Sequence, residues 1–184
     1  MNVNNIIKTR VFAFATLPLL FSSVAIADSA NTITFKGEVT EQTCEVSVNG
    51  VNARPVVLLP TVSKSELSQP GSFAGLTTFT LGVTGCTASA SALDIKTIFV
   101  ANNMTALGNL ANTGTATDVE LQLMTDGTGT TPIDLRNATG IAGISVPAGS
   151  TSGEHDYGVR YFSAAGGAGA GTVVGSVQYA VSYL

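Results

Sequence analysis

Read for apolar and polar positions, the chain opens with a largely apolar run at 11–21 and then settles into alternation with a period of two. In Thr32-Ile33-Thr34-Phe35-Lys36-Gly37-Glu38-Val39, Ile33, Phe35, Gly37 and Val39 fall on one side of an extended chain. Thr32, Thr34, Lys36 and Glu38 fall on the other, the mark of a half-buried strand. Further alternating or β-branched runs lie at 54–59, 76–83, 93–101, 119–123 and 157–161, with briefer ones at 133–135 and 141–146. Gly, Pro, Asn, Asp and Ser separate them, and Asp126-Gly127-Thr128-Gly129 predicts a turn. The only helical window, 62–67, runs into Pro70-Gly71 and is expected to make at most one turn. Short strands at fairly regular spacing predict an all-β sandwich.

The last run is the longest. After 164–171, with glycines at 166, 167, 169 and 171 and read as a mobile hairpin loop, comes a strand that places Val177, Tyr179, Val181 and Tyr183 on one face. Chain ends fray unless something holds them. A strand this regular near the C-terminus is therefore expected to be docked. It is either a final core strand or an edge on which a partner lies.

The apolar run at 11–21 follows Lys8 and Arg10 and precedes Ala25-Ile26-Ala27. That order of charged, apolar and small residues predicts a secretory signal peptide over 1–27, cleaved after Ala27. The run is shorter than the about 20 residues that a permanent membrane helix needs. Residues 28–184 are then one domain's worth of mature chain.

Lys8 and Arg10 are two of the chain's 8 bases, whereas all 12 acids lie beyond the leader, so the mature part carries a net charge of about −6. Such a chain offers no electrostatic footprint for nucleic acid. With 45% apolar residues it still has the means to bury a core.

Export changes the reading of the two cysteines, Cys44 and Cys86, because a disulfide persists outside the cytoplasm. They can form one intramolecular pair. Closing that loop of about 43 residues stabilises the fold by roughly 4 kcal/mol in the chain-entropy model. A metal site would need further Cys or His ligands, and the one histidine is His155.

Catalytic patterns are weak. His155 sits between Glu154 and Asp156, but neighbours on an extended chain point to opposite sides, and no Gly-x-Ser-x-Gly elbow occurs. His155 is expected at the surface near a strand start. Carboxylates at Glu38, Glu41, Glu45, Asp94, Asp118, Glu120, Asp126 and Asp134 are scattered, as on solvated faces and turns. The glycines from 166 to 171 lack the Gly-Lys-Ser/Thr ending of a phosphate loop. Asn103-Met104-Thr105 and Asn137-Ala138-Thr139 fit the glycosylation triplet but read as turn chemistry. No cofactor is expected, and no catalytic or metal residues.

Taken together, several features resemble the subunits of chaperone–usher fimbriae, in particular type 1 pilin-like major subunits. They are the leader, Thr34-Phe35-Lys36-Gly37-Glu38-Val39 shortly before Cys44, and the second cysteine about forty residues on. Arg160-Tyr161-Phe162 before a small-residue loop, and Val177-Gln178-Tyr179 through Tyr183, complete the match. The resemblance spans essentially the whole mature chain.

It implies an incomplete immunoglobulin-like sandwich lacking its last strand, with 28–43 as an N-terminal donor-strand extension and 44–184 as the pilin domain. Ile33, Phe35 and Val39 would insert into a neighbour's groove, and Gly37 would match the family's glycine, where the groove admits no side chain. Val177, Tyr179, Val181, Tyr183 and Leu184 would form the groove edge on which a periplasmic chaperone docks. The implied partners are like or homologous pilin subunits, that chaperone, an outer-membrane usher and a tip adhesin. The location would be a cell-surface fimbrium reached through the periplasm. A minor adaptor or tip pilin, or a lectin-like single-domain adhesive module, is the alternative, and a secreted hydrolase has no constellation behind it.

Overall fold

Period-two sequence becomes two packed sheets. The computed structural model describes residues 39–40, 44–137 and 139–183. The leader, Ile33, Phe35, Gly37 and Leu184 lie outside them, as do Glu38, Glu41 and Ala138. The described residues form one compact unit.

In chain order the strands are β1 (Glu45–Val48), β2 (Ser72–Thr84), β3 (Leu93–Ala101), β4 (Leu110–Ala111), β5 (Glu120–Met124), β6 (Ile141–Val146), β7 (Gly153–Ser163) and β8 (Val177–Ser182). A five-stranded sheet has the order β1-β2-β7-β5-β4, and a three-stranded sheet the order β6-β3-β8. Every pairing is antiparallel. Alternate residues turn inward from both sheets: Phe79, Leu81 and Val83 from β2, Leu121 and Leu123 from β5, and Tyr157 and Val159 from β7. They meet Ile95 and Phe99 of β3 and Ile144 and Val146 of β6 in one buried cluster. Each such side chain contributes about 1.5–3 kcal/mol by leaving water.

The helical window becomes a single 3-10 turn, Lys64–Leu67. Ser63 caps it by accepting from the Ser65 amide, and the Glu66 carboxylate accepts from the Ser63 amide at 2.8 Å. Leu67 anchors it in a smaller cluster with Ala74, Val119 and Ala168. The expected strand at 133–135 does not form. Ile133 and Leu135 are buried, but their amides donate singly to the Leu123 and Gly108 carbonyls.

The small-residue stretch 164–171 does not close a hairpin. It joins β7 in one sheet to β8 in the other, so it crosses the end of the sandwich. On the way, Gly167 and Ala168 donate to the Ser68 and Leu67 carbonyls, and Gly169 donates to that of Thr117. Gly166 and Gly171 serve close approach to backbone. A Cβ on Gly171 would lie 2.4 Å from the Ala116 nitrogen and 2.6 Å from the Thr115 carbonyl carbon. Those are backbone atoms, which cannot step aside cheaply. Gly171→Val is therefore expected to destabilise the domain by about 1–3 kcal/mol, a fall of several degrees in melting temperature by circular dichroism. An unchanged melt would mean the loop is loosely held after all.

Candidate functional site: an apolar groove between two unpaired walls

The site arises where the sandwich stops short. β8 pairs with β3 on one side, through Phe99↔Tyr179 and the neighbouring pairs, and is an edge of its sheet. Every second N–H and C=O along 177–181 therefore faces away from β3.

Opposite it runs the stretch 54–60. The sequence pattern predicts a strand here, and the side chains do alternate: Pro55, Val57 and Leu59 are half-buried while Val56 and Leu58 stand exposed. Yet the backbone of 52–59 makes no hydrogen bond to another described residue. Pro55 and Pro60 have no N–H to give, which already disfavours an interior strand. The stretch is held by side chains instead. Val57 and Leu59 pack on the main cluster, and the Tyr161 hydroxyl donates to the Pro60 carbonyl at 3.1 Å. Burial raises the Tyr161 phenol above its ordinary pKa, so the donor keeps its proton.

Between these walls lies a groove of about 390 Å³ floored by Phe79, Phe99, Leu121, Leu123 and Val159. Val57 and Leu59 line one side, and Val174, Gly175, Val177 and Tyr179 the other. The approach to β8 is braced by Asn112. Its Oδ1 accepts from the Gly114 and Val174 amides at 2.8 and 2.9 Å, and its Nδ2 donates to the Ala116 carbonyl at 2.8 Å. Of the expected edge residues, Val177 and Tyr179 line the groove. Val181 and Tyr183 are half-buried on the main cluster, and Leu184 lies outside the described residues.

Cys44 and Cys86 are bonded, with Cα atoms 4.4 Å apart. The Cys44 amide also donates to the Tyr183 hydroxyl at 3.2 Å, so the start of β1 and the end of β8 are fastened at one point. Val39, the one expected inserting residue within the described chain, is fully exposed.

Elsewhere the candidate chemistry is structural. His155 is half-buried rather than at the surface. Its Nε2 lies 2.8 Å from the Thr125 carbonyl oxygen, and its ring stands edge-on to Tyr157 at 4.7 Å. The ring occupies the space a side chain at Gly143 would need. Glu154 and Asp156 lie exposed on the opposite face, and Asp156 accepts from the Thr80 hydroxyl at 2.6 Å. Asp126 organises its turn by accepting from the Thr128 and Thr130 amides, and the Thr128 hydroxyl holds its pKa below the ordinary value. Arg160 lies 3.8 Å from the Phe73 ring centre and donates through Nε and Nη2 to Gln122 Oε1 at 2.9 and 2.7 Å. No cluster of three or more His, Cys, Asp or Glu residues suited to a metal occurs among the described residues.

No protein-family model matches the sequence. The chain is 34% identical over 179 residues to the F17 fimbrial protein of Escherichia coli, covering 94% of this chain and 97% of the relative. It is 35% identical to the major fimbrial subunit SMF-1 of Stenotrophomonas maltophilia, covering 90% and 99%. It is 32% identical to the minor fimbrial subunit HifD of Haemophilus influenzae, covering 95% and 85%. A solved chaperone–usher pilus shares the fold with a TM-score of 0.55 at 18% identity, covering 88% of this chain and 100% of the other. The fold is thus that of a pilin, an immunoglobulin-like sandwich short of its last strand. Full-length relatives above 30% identity, together with this pilin fold, lead to one assignment: the chain belongs to the fimbrial subunits, the pilins, structural and non-enzymatic proteins of the cell-surface fimbrium.

Proposed function

We propose that this chain polymerises by donor-strand exchange as a major subunit, its segment 28–43 lying in the groove of the next copy. The observation that carries this reading is an apolar floor flanked by β8, an edge of its sheet, and by 52–59, whose backbone makes no hydrogen bond to another described residue. A segment that offers both backbone edges and one apolar face satisfies all three at once. Residues 32–39 have that face in Ile33, Phe35 and Val39.

The magnitudes suffice. Burying three large apolar side chains at about 1.5–3 kcal/mol each gives roughly 5–9 kcal/mol before ordering costs. Ladder hydrogen bonds add about 1 kcal/mol net apiece. Left open, the same groove is an aggregation hazard, which gives a periplasmic chaperone its place. On this reading the leader 1–27 is removed on export. The chaperone pairs first along Val177, Tyr179, Val181, Tyr183 and Leu184, and at the outer-membrane usher the next subunit's extension replaces it. β-strand addition of this kind is a known recognition mode, with ladder bonds supplying affinity and alternate side chains supplying register.

The similarity to a minor subunit supports a second reading, an adaptor within or at the tip of the fibre. Deleting the chain from its host distinguishes the two by negative-stain microscopy. Loss of nearly all fibre mass is expected for a major subunit, whereas unchanged fibre mass would make it an adaptor. Fibres from the intact strain should also yield heat-resistant ladders of this chain on gels.

A further inference from the structure

We infer that the hydroxyls of Thr97 and Tyr157 bond to one another across the core, and that this tie makes Tyr157 the residue that positions the floor of the groove. The inference rests on the donor-strand reading for what the floor receives, and adds what holds the floor in place.

Thr97 on β3 and Tyr157 on β7 belong to facing sheets, and both side chains are fully buried. Neither hydroxyl oxygen has a hydrogen-bond partner as it stands. Buried hydroxyls left so are costly, and native interiors avoid them. The side chain that acts on the Tyr157 phenol is Thr97: burial raises the phenol's pKa, and the Thr97 hydroxyl lowers it as a hydrogen-bond partner does. A hydroxyl both donates and accepts and its hydrogen turns to suit, so a small adjustment of either side chain satisfies both groups at once.

The ring that carries the phenol reaches the groove. Tyr157 is the cross-strand neighbour of Phe79 in its own sheet, with ring centres 5.8 Å apart. Phe99 of the facing sheet stands edge-on to it at 5.2 Å, and His155 edge-on at 4.7 Å. Phe79 and Phe99 line the groove, whereas Tyr157 and Thr97 do not. Thr97 lies two residues before Phe99 on the same buried side of β3. The two phenylalanines thus face the groove, and the tyrosine ring supports them from behind. A hydroxyl tied to β3 fixes the tilt of a ring that β7 carries, and with it the aromatic surface that an incoming strand meets. A surface fixed beforehand spares that strand the cost of ordering it.

The test separates the tie's share of stability from its share of binding. The full mature chain is held monomeric with excess peptide of residues 28–43, its urea midpoint is read by circular dichroism, and the release rate of a labelled peptide is measured. Tyr157→Phe and Thr97→Val each orphan the other hydroxyl, and each is expected to shift the unfolding equilibrium about 5- to 100-fold toward the unfolded chain. The double variant has no orphan and should recover most of that loss, a coupling that independent sites do not show. Peptide release should quicken about two- to tenfold in both single variants and stay fast in the double, because the ring is no longer held. Thr97→Ser keeps the hydroxyl and should release peptide at the unvaried rate. Additive losses of stability would overturn the bond, and release that returns to normal in the double variant would overturn the positioning role; donor-strand assembly stands in either case. An unvaried chain that takes up no peptide would instead sink the donor-strand reading, and the positioning role with it. Should Tyr157→Phe fail to accumulate, Thr97→Val must show both losses and Thr97→Ser neither.

Discussion

A mature chain lacking residues 28–39 is expected to aggregate when purified alone, and a peptide of residues 28–43 supplied in trans is expected to keep it folded and monomeric. The reason is the groove: Phe79, Phe99, Leu121, Leu123 and Val159 line a floor that no strand of the described sandwich covers. A ligand that binds only the folded state stabilises it by mass action, by about 4 kcal/mol when present at a thousand times its dissociation constant. Against a typical domain stability of about 5–15 kcal/mol, that is the difference between a marginal fold and a secure one. Urea unfolding followed by tryptophan-free probes, such as far-ultraviolet circular dichroism, suits a chain with no Trp. The midpoint should rise with peptide concentration, and a Gly37→Leu peptide should shift it far less. A truncated chain that is soluble, monomeric and equally stable with and without peptide would dispose of the unfinished sandwich.

Loss of the disulfide is the second large effect. Cys44 and Cys86 are separated by 42 residues, and removing a bridge of that span costs about 4 kcal/mol, within a general range of about 2–5 kcal/mol. The loss falls at a sensitive place. The bridge fixes Cys44 beside Cys86, and the amide of that same Cys44 donates to the Tyr183 hydroxyl at the end of β8. Cys44→Ser with Cys86→Ser is therefore expected to lower the urea midpoint strongly and to leave little subunit for assembly. An oxidised and a reduced sample with the same midpoint would show that the bridge constrains nothing of importance.

Much of the fold was legible in the sequence because alternation is a local property. Phe79, Leu81 and Val83, or Tyr157 and Val159, could be assigned to a buried face from their spacing alone, and the pairing of two cysteines in an exported chain left a single choice. Where local pattern misled, tertiary contacts had overruled it. The glycines of 164–171 read as flexibility, yet at Gly166 and Gly171 backbone from 68–70 and 115–116 comes too close for a side chain. His155 read as a surface residue because charged neighbours flank it, but its own side of β7 faces the interior beside Tyr157. The stretch 54–59 read as a strand, and only Pro55 and the bounding Pro60 hinted that it would find no ladder partner among the described residues.

The chain's own order of residues determined which side chains turn inward, where the bridge closes, and the large-none-large profile of Phe35, Gly37 and Val39. It could not determine that β8 and 54–60 both border a groove in which no described residue pairs with either. A period of two states which face a residue takes and is silent about which strand lies next to it. That neighbour is chosen by closure of the whole sandwich over long sequence separations, and only the assembled sheets reveal the edge left without one.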